Sequence, residues 1–230
     1  MRGLYAIVDV ATLDACHLDP VAFSQAVLSA SPAALQLRAK DFPSREALAL
    51  LRQLAPMCHR AGVPLVANDR PDLAIFAGCD LAHVGQTDMP IDRVRRLAPG
   101  LGVGVSTHTI DQLDAALAAR PAYVAFGPVF ETSTKAHPDP VVGVGLLAEA
   151  HAHALAAGIP LVAIGGITLP RAHQLVGLVE AAAVISALLP PEALRGGALS
   201  VEGVLREVTA RARGFQELLA PGPPMARTAR

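Results

Sequence analysis

The sequence predicts an α/β protein built as a single (β/α)8 barrel, on three observations. The chain has 230 residues, the size of one barrel domain. Eight short apolar runs rich in Val, Ile, Leu and Ala alternate with longer segments of helical period. Polar and charged residues then gather after the C-terminal end of each run, whereas the opposite ends offer Pro64, Leu101, Ala122 and Pro160.

The strands are expected, in order, at residues 4–9, 33–37, 64–67, 81–84, 101–105, 122–126, 160–164 and 181–185. Their near-continuous apolar character suits parallel strands covered on both faces. Parallel strands need crossover segments, and helices are expected between them at 44–61, 90–98, 109–119, 142–157 and 168–178. Thr109 with Gln112 three residues on fits a capping box, Pro71 and Pro90 suit first helical positions, and Gly62 and Gly158 suit helix ends. An open doubly wound sheet is the rival architecture, but eight βα repeats of even length favour closure. No linker divides the series, so residues 1–215 are expected to form one barrel domain, closed by a helix at 196–213. Residues 216–230, with their Pro-Gly-Pro-Pro, are expected to be a flexible tail. The longest polar, proline-bearing loop, 132–140, follows the sixth strand.

Composition narrows the function classes. The chain is 52% hydrophobic and 17% charged, enough to bury a large core, and aromatics make up only 3%. A net charge of -1 gives no basic footprint for nucleic acid or acidic lipid, so any attraction for an anionic substrate must come from a local cluster of cations. Cys16, Cys58 and Cys79 lack C-x-x-C spacing and are expected as buried or half-buried thiols. With no signal-peptide pattern and no apolar stretch of about 18 residues, the expected location is the cytoplasm.

Barrel active sites lie at strand C-terminal ends, so those residues are the candidates. On one strand, Gln36, Arg38 and Lys40 share a face and point toward the barrel axis. Inward cations are costly unless they meet an anion, which suggests a phosphate or diphosphate clamp; a solvated strand end is the plain alternative. Asn68-Asp69 and, one strand further, Asp88 place two carboxylates near those cations, a pattern suited to Mg²⁺, although Asp69 also suits a helix cap. Ser106-Thr107-His108-Thr109 suits either an anion at a helix start or simple capping. The stretch 127–135 concentrates three hydroxyls and a lysine, as a closing loop or an ordinary polar one. Gly165-Gly166 and Ile185-Ser186 end the last two strands, where phosphate-binding barrels hold phosphate; tight turns also select glycine.

Seven strings carry a resemblance over residues 4–188: QLRAK at 36–40, ANDR at 67–70, HVGQTD at 83–88, GVSTHT at 104–109, GPVFETSTK at 127–135, AIGGI at 163–167 and VISA at 184–187. In this order and spacing they resemble the thiamine-phosphate synthase family, whose close relatives are the TenI-type thiazole tautomerases. The resemblance implies a transferase that joins a hydroxymethylpyrimidine diphosphate to a thiazole phosphate, releasing pyrophosphate with the help of Mg²⁺. It places Gln36, Arg38, Lys40 and Asn68 on the pyrimidine diphosphate and Asp69 and Asp88 on the metal. Ser106 and Lys135 would contact the diphosphate and, with Arg38, stabilise the leaving group. Thr132 and Thr134 would meet the thiazole phosphate, whose phosphate end would bind at Gly166, Ile185 and Ser186. The partners implied are these small phosphorylated substrates, with no nucleic acid or membrane; a homo-oligomer is left open.

The chain departs from the family pattern in having Ala39 where Glu is frequent and Glu131 where Pro is frequent. The wording from Phe126 to Thr132 leans toward the tautomerases, which typically carry a histidine at the position of Pro128. Proline cannot transfer a proton, and the metal and diphosphate residues are kept, so the synthase is the expectation. A tautomerase, or a silent barrel that binds thiamine-related phosphates, is the alternative.

Overall fold

The computed structural model describes residues 1–132, 139–197 and 199–220. Eight parallel strands close into a barrel in sequence order: β1 (Gly3–Asp9), β2 (Ala34–Arg38), β3 (Leu65–Asn68), β4 (Leu81–Val84), β5 (Gly102–Thr107), β6 (Tyr123–Phe126), β7 (Leu161–Ile164) and β8 (Ala181–Val184). β8 returns to pair with β1, which excludes the open sheet. Around the barrel lie α1 (Val10–Ala15), α2 (Pro20–Leu28), α3 (Ser44–Ala61), α4 (Pro71–Ala77), α5 (Ile91–Leu97), α6 (Ile110–Ala118) and α7 (Gly143–Ala157). They are followed by α8 (Leu169–Ala172), α9 (Pro191–Leu194) and the closing α10 (Val201–Leu219).

Alternation along each strand splits the core in two. Leu4, Ala6, Val8, Leu35 and Leu37 face outward to the helices, which bury a continuous aliphatic layer against them. Tyr5, Ile7, Ala34, Val66, Tyr123, Ala125, Val162, Ala181 and Ala183 fill the barrel interior. That interior is unusual for a chain with so few aromatics, because two tyrosines occupy a space otherwise filled by alanines and a few β-branched side chains. Gly104 makes the room: a Cβ there would stand 2.0 Å from Tyr123 Cζ.

Several expectations are corrected. Pro90 is the N-cap of α5 rather than its first residue. The single helix expected at 168–178 is the four-residue α8 followed by a 3₁₀ turn at His173–Leu175. The closing helix begins at Val201, where the Ser200 hydroxyl accepts the Gly203 N–H, and runs to Leu219. Residues 216–219 therefore belong to the barrel and not to a tail: Gln216 Oε1 accepts the Leu4 N–H at 2.8 Å and Leu219 is buried. The rest of the expected tail, 221–230, lies outside the described residues. The cysteines are free thiols, Cys58 buried and Cys16 and Cys79 half-buried, as expected. No helix among the described residues is long and apolar enough to cross a membrane.

Candidate active site

A cavity of about 800 Å³ opens at the C-terminal ends of the strands and is lined from all eight of them. This is within the ordinary size of a small-molecule site. It brings together Gln36, Arg38 and Lys40 from β2 and the loop beyond it, Asn68 at the end of β3 with Asp69 after it, and Asp88 after β4. Ser106 of β5, Thr132 after β6, Gly166 after β7, and Ile185 and Ser186 after β8 complete the set of expected residues within the described chain. Thr134 and Lys135 lie outside the described residues.

The β2–β4 sector carries the charge. The parallel register sets Asp9 beside Arg38, and Arg38 Nη1 donates to Asp9 Oδ2 at 2.5 Å. Asp9 is itself buried, and its other oxygen accepts from the Thr12 amide and hydroxyl at 2.9 and 2.6 Å. Arg38 thus already has an internal anion, so its inward position alone does not demand a ligand. Asp69 does not cap α4, whose N-cap is Arg70 with no side-chain cap bond. Instead it stands in a left-handed conformation (φ 59°), a geometry aspartate tolerates better than most residues, and its N–H donates to the His83 carbonyl at 2.8 Å. Asp88 Oδ2 accepts the Gly85 N–H at 2.7 Å.

Burial, followed by the charge of Asp88 and a hydrogen bond to it, pushes the Asp69 carboxyl from 3.8 up to about 6, with Arg38 and Lys40 pulling it down. Two carboxyl groups that repel each other in a half-buried cleft are the donor set a hard divalent cation relieves. No cluster of three or more His, Cys, Asp or Glu side chains fit for a metal exists among the described residues. The donors thus fit Mg²⁺, which takes one or two carboxylates and fills its remaining positions with water and phosphate oxygens.

A chain of polar groups crosses the barrel beneath this sector. Gln36 Nε2 donates to the Tyr5 hydroxyl at 2.8 Å, and the Tyr5 and Tyr123 hydroxyls are 2.7 Å apart. Tyr123 Oη lies 2.8 Å from His83 Nδ1, and His83 Nε2 lies 2.7 Å from Ser106 Oγ. The His83 ring stacks on Tyr123 with centroids 5.6 Å apart. Burial holds both tyrosines well above the ordinary phenol range and pushes His83 down to about 4, against the opposing pull of Asp88. At neutral pH every link is uncharged.

The β6–β8 sector is built from backbone. Val129 N–H donates to the Ile164 carbonyl at 2.8 Å and Phe130 N–H to the Gly165 carbonyl at 3.1 Å, clamping the β6 loop to the end of β7. Gly165 and Gly166 have φ of 99° and 62°, and side chains there would meet Pro128 and Glu131 at 2.4 and 2.2 Å. Close packing of two loops therefore accounts for the glycine pair. Arg171 adds a cation at this end: its Nη1 donates to the Gly166 carbonyl at 2.8 Å and its guanidinium carbon sits 5.1 Å from the Phe130 ring centroid. His108 also lines the cavity, with Nδ1 2.5 Å from the Gly127 carbonyl and Nε2 3.5 Å from Asp139.

Sequence reasoning passed over Tyr5, Tyr123 and Arg171. The tyrosines follow the inward period of their strands, which in a chain with two tyrosines in all was the available signal. Arg171, three residues after Thr168 on a helix start, gave none.

Closed barrel and polar strand ends together define a (β/α)8-barrel enzyme whose cavity gathers carboxylates, cations and hydroxyls. Comparison with known proteins makes this specific. The family model described as thiamine monophosphate synthase matches residues 4–188. A thiamine-phosphate synthase of Anaeromyxobacter dehalogenans is 41% identical over 191 residues, covering 82% of this chain and 81% of that protein. One from Roseiflexus castenholzii is 40% identical over 176 residues, covering 74% and 76%. The solved structure of a thiamine phosphate pyrophosphorylase from Pyrococcus furiosus superposes with a TM-score of 0.74 at 26% identity, covering 93% of this chain and 96% of that one. The chain belongs to the thiamine monophosphate synthase family.

Proposed function

We propose that the protein is a Mg²⁺-dependent thiamine-phosphate synthase, which condenses hydroxymethylpyrimidine diphosphate with thiazole phosphate and releases pyrophosphate. The observation that carries this reading is the Asp69–Asp88 pair, set in one cavity with Arg38, Lys40 and Ser106. Held there, Mg²⁺ would supply positive charge to the diphosphate oxygens.

The chain's own residues account for the rest. Gln36, Arg38, Lys40 and Asn68 bind the pyrimidine diphosphate, and Ser106 gives its leaving group a hydroxyl partner. The bond between the pyrimidine methylene carbon and the diphosphate oxygen breaks, its electron pair leaving with the diphosphate. The lone pair of the thiazole nitrogen then forms the new carbon–nitrogen bond. Such a displacement needs positioning and charge stabilisation rather than a side-chain nucleophile. Tyr5, Tyr123 and His83 suit that chemistry, being neutral and bonded to one another. Thr132, with Thr134 and Lys135, contacts the thiazole substrate and the diphosphate, and Gly166, Ile185 and Ser186 take the thiazole's phosphate. The test is direct: both phosphorylated substrates with Mg²⁺ should yield thiamine phosphate. Its absence with folded protein overturns the proposal.

One observation favours a second reading, the thiazole tautomerase. His108 sits against Gly127 and Asp139 on the cavity wall, where it offers the proton-transfer group that Pro128 lacks. A tautomerase isomerises the thiazole carboxylate phosphate in EDTA with no pyrophosphate formed; a synthase is silent under those conditions.

A further inference from the structure

We infer that Gln36, Tyr5, Tyr123 and His83 form a one-way hydrogen-bond chain that fixes Ser106 as a hydrogen-bond donor toward an anionic oxygen in the cavity. His83 and Tyr123 are then positioning residues, acting through Ser106. The inference rests on the reading above, in which Ser106 meets the diphosphate.

Proton counting sets the direction. The Gln36 Nε2 group has only protons to give, so the Tyr5 oxygen, 2.8 Å away, accepts. Tyr5 owns one proton, and because a buried O–H left unpaired is costly, the Tyr123 oxygen at 2.7 Å takes it. Having accepted, Tyr123 turns its own proton to His83 Nδ1 at 2.8 Å. A neutral imidazole that accepts on Nδ1 carries its proton on Nε2, which faces Ser106 Oγ at 2.7 Å. Ser106 accepts there, and its own proton is left for the cavity that it lines. Turning the Gln36 amide over would reverse every step, and Ser106 would spend its proton on His83 and present lone pairs to the cavity. Lone pairs repel a phosphate oxygen, so only the first direction serves an anionic ligand.

The surroundings keep the chain intact. Gln36, Tyr5, Tyr123 and His83 are all buried, so little of each is open to water that could break or invert a link. Links run from β2 to β1, across the barrel to β6, and back through β4 to β5. Gly104 stands on the same strand face as Ser106, two residues before it, and its missing side chain admits the Tyr123 ring to the barrel centre. No single strand could have assembled this path; closure of the barrel does.

Two measurements test the inference. Nitrogen-15 NMR of the ligand-free protein identifies which ring nitrogen of His83 carries the proton. Nε2 alone is expected, and a proton on Nδ1, by itself or together with Nε2, overturns the chain whatever the enzyme's reaction. A double-mutant cycle then reads the consequence. His83→Phe should lower kcat by about tenfold to hundredfold, the range typical of partners that orient a site residue. The loss should vanish in a Ser106→Ala background, and His83→Gln, which restores a donor toward Ser106, should recover most of the rate. Losses that multiply in the double variant overturn the positioning role. Total lack of turnover in the parent protein would sink the functional reading and leave the tautomer result to decide the chain.

Discussion

Replacing Asp69 with asparagine tests whether the paired carboxylates are a cation seat that the fold maintains at a cost. Burial and Asp88 raise the Asp69 carboxyl from 3.8 to about 6, so the protonated form is the one the fold prefers. The stability it lends is fully present below pH 3.8 and is lost as the pH rises through about 6. At about 1.4 kcal/mol for each pKa unit, ionising this group near neutral pH costs the metal-free fold ~3 kcal/mol, and solvent screening at a half-buried site reduces that to about 1–2 kcal/mol. Asparagine does not titrate, yet keeps an N–H donor toward Asp88 like that of the protonated acid. In EDTA at neutral pH, Asp69→Asn should therefore be the more stable protein by about 1–2 kcal/mol, a rise of about 2–8 °C in Tm. Near pH 3.8 the two proteins should melt together. Mg²⁺ at a hundredfold excess over its Kd should add about 2.7 kcal/mol to the parent and much less to the variant. Thermal melts across pH, with and without Mg²⁺, read all three results. A variant less stable than its parent in EDTA at neutral pH, or an offset independent of pH, would refute the reasoning.

Other predictions follow from the same geometry. Gly104→Ala would set a Cβ 2.0 Å from Tyr123 Cζ, and overpacking of this kind should cost at least about 1–3 kcal/mol in urea unfolding. Arg171→Ala removes a cation beside Gly166 and should raise KM for the thiazole phosphate about tenfold while sparing kcat, as expected when binding common to ground and transition states is lost. The concentration of Mg²⁺ giving half-maximal rate should climb as the pH falls below about 6, because the metal must displace the Asp69 proton. A flat Mg²⁺ requirement across that range would contradict the metal role of Asp69.

Much of this was legible in the sequence, for physical reasons that also mark the limits. All eight strands were found near their observed bounds because a parallel strand covered on both faces is a continuous apolar run. One helix start with local chemistry was equally legible: the Thr109 hydroxyl accepts the Gln112 N–H, and Gln112 reaches back to the His108 N–H at 2.8 Å. The closing helix was expected from Gly196, which instead adopts φ 71°, and it begins only after the capping Ser200. Strand-end residues such as Arg38, Asp69 and Asp88 stood out because charge is rare in this chain and alternation assigns a face. Their mutual geometry did not, since Asp9 answers Arg38 from 29 residues away. The chain from Gln36 to Ser106 was hidden most deeply. Tyr5 and Tyr123 are separated by 118 residues and resemble ordinary strand aromatics until closure of the barrel joins their hydroxyls.

In the proposed reaction one cavity holds a cation and an anionic leaving group together. Its most direct measurement is pyrophosphate released per thiamine phosphate formed, with each substrate and Mg²⁺ omitted in turn. Equal amounts of the two products are expected, with no release when either substrate or the metal is left out. Pyrophosphate released without the thiazole phosphate, or an undiminished rate in EDTA, would contradict it.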